Sequence, residues 1–182
     1  MQTFAVYVDN KPGVLNRVAS LFRRRAFNIE SLTVGHTEMP GVSRMTIVVD
    51  TDERGARLVE ANLYKLIPVR RVDNITRVPT IGRDLAMIKV AATGDARTQV
   101  MQLVDVYRSR IVDVSPESLV IETTGTEDKI DSLLEVLRPY GVIEMVRTGR
   151  VEMARGIVQP TPVGTQQVER RAAPRDAGSG SV

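Results

Sequence analysis

The sequence predicts an α+β fold of two tandem βαββαβ units, followed by a tail without regular structure. Three observations support this prediction. Apolar residues recur at a spacing of two in some segments and of three or four in others, which are the periods of strands and helices. The same order of segments occurs twice, which indicates a duplication of structure. Near Gly156 the apolar pattern stops, and proline, glycine and charged residues replace it.

The first unit is predicted over residues 1–78. Its opening strand, residues 2–9, has an apolar residue at every second position, and its first helix, residues 13–26, has them three or four positions apart. The same criteria, with turn and capping residues at the boundaries, predict strands over residues 28–34, 43–50 and 69–78, a hairpin loop over 37–41, and a helix from 51 to 66.

The second unit is predicted over residues 83–155, after a hinge at residues 79–82. The two units share the order β-α-β-β-α-β, which is the split βαβ or ferredoxin-like arrangement, although they share few residues. The tail, residues 156–182, cannot bury enough apolar surface to offset its ordering entropy, so we expect it to be disordered. The predicted elements of the second unit are strands over 85–92, 111–114, 119–122 and 142–147 and helices from 94 to 107 and from 126 to 137.

The composition excludes several classes of protein. The 182 residues contain no cysteine, which excludes a disulfide framework and a thiolate metal site and favours a reducing compartment. No segment is long and apolar enough to span a membrane, and because the first residues are predicted to form a strand, we expect no targeting peptide. We therefore expect a cytoplasmic protein without a membrane partner.

The charge gives little support to nucleic-acid binding. The formal net charge is +3, from 25 basic and 22 acidic side chains, and much of the surplus lies in residues 23–25, residues 70–71 and the tail. Arginine clusters at helix ends face solvent or a protein partner more often than phosphate. The strands also offer few aromatic side chains on which bases could stack, so we expect no nucleic-acid partner.

The chain lacks the side chains of most catalytic sites. His36 is the only histidine, and there is no cysteine nucleophile, no phosphate-binding loop and no metalloprotease motif. The acidic pairs at residues 52–53 and 127–128 are typical of helix starts. We predict no catalytic residue, no metal site and no cofactor in this chain, and therefore interpret it as a binding module.

The candidate site is the turn between the first strand and the first helix, residues 9–15. Gly13 permits a close approach of a ligand and backbone dihedrals closed to other residues, and the first N–H groups of the helix favour an anion beside it. Asn10 offers both a donor and an acceptor. A small zwitterion, such as a free amino acid, fits these groups. Ordinary turn chemistry explains the same residues, so the two interpretations stay open at this point.

Two segments resemble a known family. Residues 10–18 read NKPGVLNRV and residues 27–34 read FNIESLTV, and together they resemble the amino-terminal ACT domain of the regulatory (small) subunit of acetolactate synthase, also called acetohydroxyacid synthase. Residues 43–47 (SRMTI) and 111–114 (IVDV) are also similar to that family. The resemblance extends to about residue 155 and does not include the tail.

The resemblance implies a regulatory subunit without catalytic residues, built from an ACT domain and a second ferredoxin-like domain. In that family a separate catalytic (large) subunit holds thiamine diphosphate, magnesium and FAD and condenses two 2-oxo acids, an early step of branched-chain amino-acid biosynthesis. The small subunit activates it and confers feedback inhibition, usually by valine. Family ACT domains form homodimers with the effector between them. The implied effector-binding residues are Asn10, Lys11, Pro12, Gly13, Val14 and Leu15, with Asn28 and Ile29 from the partner subunit.

Two other classes remain open from the sequence: an ACT-domain amino-acid sensor that regulates a different enzyme, and an RNA-binding ferredoxin-like protein. Asn28 is also explained as a turn residue before a strand. The identity of the branched-chain effector and the surface that meets the catalytic subunit are not predicted.

Overall fold

The computed structural model describes residues 1–156, so the predicted tail lies outside the described residues except for Gly156. The first unit has two helices on one face of a four-stranded antiparallel sheet of order β2-β3-β1-β4. Its elements are β1 (Gln2–Asp9), α1 (Val14–Arg24), β2 (Ile29–His36), β3 (Val42–Val49), α2 (Glu53–Leu63) and β4 (Val69–Asn74).

The second unit repeats this plan. Its elements are β5 (Thr80–Ala91), α3 (Gly94–Val106), β6 (Arg110–Val114), β7 (Ser118–Gly125), α4 (Glu127–Leu137), a turn of 3-10 helix (Arg138–Tyr140), β8 (Val142–Arg147) and β9 (Val151–Ala154). The sheet order is β6-β7-β5-β8, and β9 pairs with the first part of β5. The predicted pair of ferredoxin-like βαββαβ units is therefore confirmed.

Each unit has its own apolar core between its helices and its sheet. In the first unit Phe4 and Ile47 of the sheet pack with Phe22 of α1 and Leu63 of α2, and all four are at most 1% exposed. The apolar residues three and four positions apart on α1 and α2 face this core, as their spacing predicts. A second core joins α3 and α4 to the other sheet.

The two helices of the first unit begin in different ways. The N-cap of α2 is Asp52, whose side chain accepts a hydrogen bond from the Gly55 N–H at 2.7 Å, as expected for a capping carboxylate. The N-cap of α1 is Gly13, which has no side chain that could accept a hydrogen bond and which adopts a left-handed conformation with φ of 80°. The start of α1 is therefore left without a side-chain cap.

The two outer strands of the first sheet, β2 and β4, differ in the number of charged side chains that they carry. Strand β2 exposes Val34, whereas β4 carries the charged residues Arg70, Arg71 and Asp73. Arg70 and Arg71 form ion pairs with Asp9 and Asp73, respectively. The edge at β2 is thus the less charged of the two.

The structure differs from the sequence-based expectation between the units. Residues 80–82, expected as part of a hinge, belong to β5 and pair with Glu152–Ala154 of β9. Strand β9 itself was not predicted. Because β5 carries on without a break from residue 80 to residue 91, one long strand belongs to both the connection and the second sheet.

The segment before β9 packs on the first unit. It crosses β2 and β3 on the face of the sheet opposite the helices. Ser31 and Thr33 point to this face, because Leu32 between them packs against the core on the other face. The Arg150 N–H donates to Ser31 Oγ at 2.9 Å, and an Arg44 guanidinium nitrogen donates to the Glu152 carbonyl. The two units therefore share a hydrogen-bonded contact.

None of the helices within residues 1–156 is long and apolar enough to cross a lipid bilayer.

Candidate functional site

The predicted turn, residues 9–15, leaves an open surface in front of the start of α1, and we call this surface the shelf. Gly13 occupies the left-handed region that favours glycine, and no heavy atom lies within 4 Å of the position a Cβ would take. Pro12 and Leu15 beside it are exposed, and Leu15 is 46% accessible. The space in front of the helix start is therefore free in a single chain.

The first turn of α1 offers free donors to this shelf. The Val14 N–H donates to the Lys11 carbonyl at a long 3.4 Å, and the Arg17 N–H donates to the Gly13 carbonyl at 3.1 Å. The N–H groups of Leu15 and Asn16, between them, have no acceptor among residues 1–156, and no acidic residue lies in this turn. The expected donor at Val14 is thus partly occupied, and the next two residues supply the free N–H groups that an anion needs.

Asn10 is held beside the shelf by the β2–β3 hairpin. Its backbone N–H donates to the Gly41 carbonyl at 2.9 Å, and its amide nitrogen lies 3.5 Å from His36 Nδ1. His36 was not predicted to belong to the site, and it lies 26 residues from Asn10 along the chain. The pairing of β2 with β3 and of β3 with β1 brings the two side chains together.

Lys11 adds positive charge but is already paired. Its ammonium lies 3.0 Å from Asp9 Oδ2, and Arg70 Nε lies 2.6 Å from the other oxygen of the same carboxylate. These two hydrogen bonds, first from Lys11 and then from Arg70, hold the pKa of Asp9 below its usual value. The surroundings of the shelf are therefore basic, which suits the carboxylate of a ligand.

The remaining predicted residues, Asn28 and Ile29, do not lie at the shelf in the same chain. Ile29 pairs with Val49 at one end of the sheet, whereas His36, next to Asn10, pairs with Ser43 at the other end. Roughly 23 Å of extended strand separates the two ends of β2. Asn28 is exposed and donates to the Glu30 carboxylate, and Ile29 packs at the margin of the core.

Strand β2 nevertheless offers a way to bring these groups together. It is an outer strand of the sheet, so one of its edges has free backbone N–H and C=O groups. If two copies paired antiparallel along β2, the start of one strand would lie opposite the end of the other. Asn28 and Ile29 of one copy would then stand next to Asn10 and Gly13 of the second copy.

Two cavities lie away from this turn. One, of about 200 Å³, is lined by residues of α2, β1 and β4, and the other, of about 390 Å³, lies between the paired strands β5 and β9 and the start of α4. The turn of the second unit that corresponds to the shelf also has a left-handed glycine, Gly94, but Asp95 follows it in the first turn of α3. That carboxylate would repel an anion. Residues 1–156 contain no cluster of three potential metal ligands.

Two family models match different parts of the chain. Residues 4–71 match the family model described as the AHAS small subunit-like ACT domain. Residues 83–156 match the family model described as the small subunit of acetolactate synthase.

Individual relatives match over most of the chain. A probable acetolactate synthase small subunit from Archaeoglobus fulgidus is 51% identical over 154 residues, which are 85% of this chain and 96% of that protein. The acetolactate synthase small subunit of Bacillus subtilis is 44% identical over 84% of this chain and 89% of its own length. A crystal structure of the acetolactate synthase small subunit from Thermotoga maritima superposes with a TM-score of 0.82 at 40% identity, covering 86% of this chain and 98% of that one.

Proposed function

The chain belongs to the family of acetolactate synthase small subunits, and on that premise we propose that it activates the catalytic subunit and lets a branched-chain amino acid, with valine as the first candidate, inhibit it. The chain is accordingly a regulatory subunit, and the thiamine diphosphate, magnesium and FAD of the reaction belong to the catalytic subunit. The family membership also sets aside the RNA-binding alternative and the sensor of an unrelated enzyme.

The observation that carries the effector proposal is the uncapped start of α1. Two free N–H groups, at Leu15 and Asn16, face an open shelf without acidic residues in the first turn of the helix. The carboxylate of an amino acid would accept from these donors, and the partial positive charge at the helix start contributes about 0.3–1 kcal/mol to its binding. The Asn10 side-chain carbonyl is the group best placed to accept from the ammonium.

The side chain of the effector needs an apolar wall, and the shelf of one chain offers only the exposed Pro12 and Leu15. We place that wall on a second copy, whose Ile29 would face the shelf in an antiparallel β2 pair. Burying a branched aliphatic side chain there stabilises the complex by roughly 1.5–3 kcal/mol. A homodimer would thus form two equivalent sites, each built from both copies.

This arrangement gives the effector a way to act on the enzyme. A ligand bound between two copies stabilises the dimer geometry that holds it best, and it shifts the equilibrium only by its difference in affinity for the two geometries. Regulation follows if the activating and the inhibited assemblies hold the two copies differently. The strength of inhibition is then set by the difference in the affinity of the effector for the two dimer geometries.

The test uses the purified chain and the catalytic subunit from the same organism. We expect the chain to raise the rate of acetolactate formation and valine to reduce this rate only when the chain is present. Calorimetric titration of valine, leucine and isoleucine into the chain alone identifies the effector. Failure of the chain to change the rate of the catalytic subunit would contradict the proposed function, and absence of binding heat for all three amino acids would contradict the effector site.

A further inference from the structure

The helical side of the first unit carries a concentrated positive charge. Both helices of this unit pack on the same face of its sheet, so their exposed residues share one outer surface. We call this surface the basic layer. Its exposed cations include Arg17, Arg23 and Arg24 on or next to α1 and Arg54, Arg57 and Lys65 on or next to α2.

The cations of the basic layer are not neutralised within the part of the chain that the structure describes. None of the six takes part in an ion pair among residues 1–156. The acidic residues of α2 are engaged elsewhere: Glu53 pairs with Arg77, and Glu60 is partly buried. Burial, together with repulsion from Asp73, raises the pKa of Glu60.

The corresponding surface of the second unit has the opposite charge. Helices α3 and α4 expose six acidic residues, Asp95, Asp105, Glu127, Asp128, Asp131 and Glu135, of which Glu127 and Asp131 pair with arginines and the other four form no ion pair within residues 1–156. Arg97, the one arginine of α3, points inward and donates to the carbonyls of Ala92, Ser115 and Pro116. The two units of the chain share one fold but present opposite charges on their helical faces, so the fold itself does not require a basic layer.

Exposed apolar side chains lie among these cations. Leu15, Leu58 and Tyr64 are each 45–47% accessible, and Ile67, just after α2, is 88% accessible. Three of these four side chains are aliphatic and gain free energy when an apolar protein surface covers them, whereas single-stranded nucleic-acid sites use several aromatic stacking platforms and Tyr64 is the one aromatic residue of this set. Exposed arginine and tyrosine beside apolar side chains are typical of a protein interface.

We propose that the basic layer is a docking surface for an acidic, partly apolar protein surface, and that in this family the partner surface belongs to the catalytic subunit. The second part rests on the proposed function. Charge complementarity of this kind accelerates association and fixes the orientation of the partners. The helical face of the second unit is acidic, so the acidic partner surface would repel it. The second unit therefore could not dock in place of the first.

The experiment compares charge reversals on the two units in otherwise intact chains. The variant Arg54→Glu/Arg57→Glu reverses part of the basic layer, and Arg54→Gln/Arg57→Gln only neutralises it. The matched control, Asp105→Lys/Glu135→Lys, reverses two charges on α3 and α4. None of these four residues forms an ion pair among residues 1–156 or belongs to the effector site. Circular dichroism and thermal unfolding verify that the variants fold.

The measurement is the concentration of the chain that half-activates the catalytic subunit, at low and at physiological salt. We expect the reversal to raise this concentration about tenfold or more, the neutralisation to raise it less, and the control to leave it within about twofold. The wild-type value should rise with salt, and this dependence should be weaker in the reversal variant.

The outcomes separate the two proposals. If the wild-type chain activates the enzyme and the reversal variant activates it at the same concentration, the docking surface is wrong and the proposed function stands. If the control is impaired as much as the reversal, the docking surface is also wrong. If the wild-type chain neither binds nor activates the catalytic subunit, both proposals fail. Binding of mixed-sequence RNA at physiological salt, lost in the reversal variant, would assign the basic layer to nucleic acid and overturn the proposal.

Discussion

The backbone N–H of Arg150 donates to Ser31 Oγ at 2.9 Å, and this bond joins the two units across 119 residues of sequence. Next to it, Gly149 lies against β2 so closely that an added Cβ would be 2.6 Å from Thr33 Oγ1 and 2.8 Å from Ser31 Oγ. Ser31 and Ile29 belong to the same strand. The strand proposed to bind the effector is therefore also the strand on which the second unit rests.

The Gly149→Ala variant is expected to weaken the contact between the units. The new methyl group would also lie 3.0 Å from the Leu32 carbonyl, which belongs to the backbone and cannot move away by a side-chain rotation. We expect a loss of stability of about 1–3 kcal/mol, measured by urea unfolding.

The control for this variant is Gly35→Ala. Gly35 lies on the same strand, but no heavy atom comes within 4 Å of its Cβ position. It should therefore change the stability by less than about 0.5 kcal/mol. Equal effects of the two variants would show that the contact at Gly149 does not matter for stability. If the contact also transmits regulation, Gly149→Ala should bind valine normally and show weaker inhibition of the holoenzyme.

The Gly13→Asp variant is expected to lose effector binding while it still activates the catalytic subunit. A carboxylate at this position would stand next to the free N–H groups of α1 and repel the carboxylate of the ligand. Gly13→Asn is the matched comparison, because asparagine has the same size and tolerates the left-handed conformation similarly. Calorimetry should show weaker valine binding for Gly13→Asp than for Gly13→Asn. Unchanged valine inhibition in Gly13→Asp would contradict the placement of the site.

Mixing two impaired variants tests whether each site is built from two copies. Gly13→Asp and Asn28→Asp should each reduce valine binding in a homogeneous dimer. In a mixed dimer one site carries both changes and the other carries neither, so mixing should restore about a quarter of the sites when the chains exchange at random. A site contained in a single chain would regain nothing on mixing. Native mass spectrometry verifies that the subunits exchange.

The pairs at Asp9 predict a dependence of stability on pH. Lys11 and Arg70 lower the pKa of Asp9 in the folded chain, so the ionised form stabilises the fold above the pKa of an unfolded aspartate, near 3.9. This contribution is lost as the pH falls through the lower, folded pKa. The stability difference between the wild-type chain and Asp9→Asn should therefore be largest above about pH 5 and shrink towards pH 3.

Urea unfolding between pH 3 and pH 7 measures this difference. Asp50→Asn is the control, since Asp50 is exposed and forms no ion pair within residues 1–156. A difference for Asp9→Asn that stays constant with pH would show that its ion pairs do not stabilise the fold.

The order of helices and strands could be predicted because each element has a clear apolar period and a turn or cap at its boundary. Strand β9 could not, because it has only four residues and its main partner is the start of β5, about 70 positions earlier in the chain. For the same reason residues 79–82 were expected to be a hinge. Local sequence did not indicate that this segment has a strand to pair with.

The candidate site was predictable where it depends on neighbouring residues. The strand-turn-helix pattern around Gly13 and its left-handed glycine follow from local sequence. His36 was missed because its approach to Asn10 depends on strand pairing. The separation of Asn28 and Ile29 from Gly13 likewise becomes visible only in the topology, which places them at opposite ends of β2.

The contrast between the two outer strands of the first sheet limits what the chain can build. Charged side chains along β4, including Arg70 and Arg71, discourage further backbone pairing at that edge, whereas β2 has no comparable row of charges. Two chains joined at β2 would leave the charged β4 strands as the two outer edges of the combined first sheets. Extension of that combined sheet would therefore end at a pair.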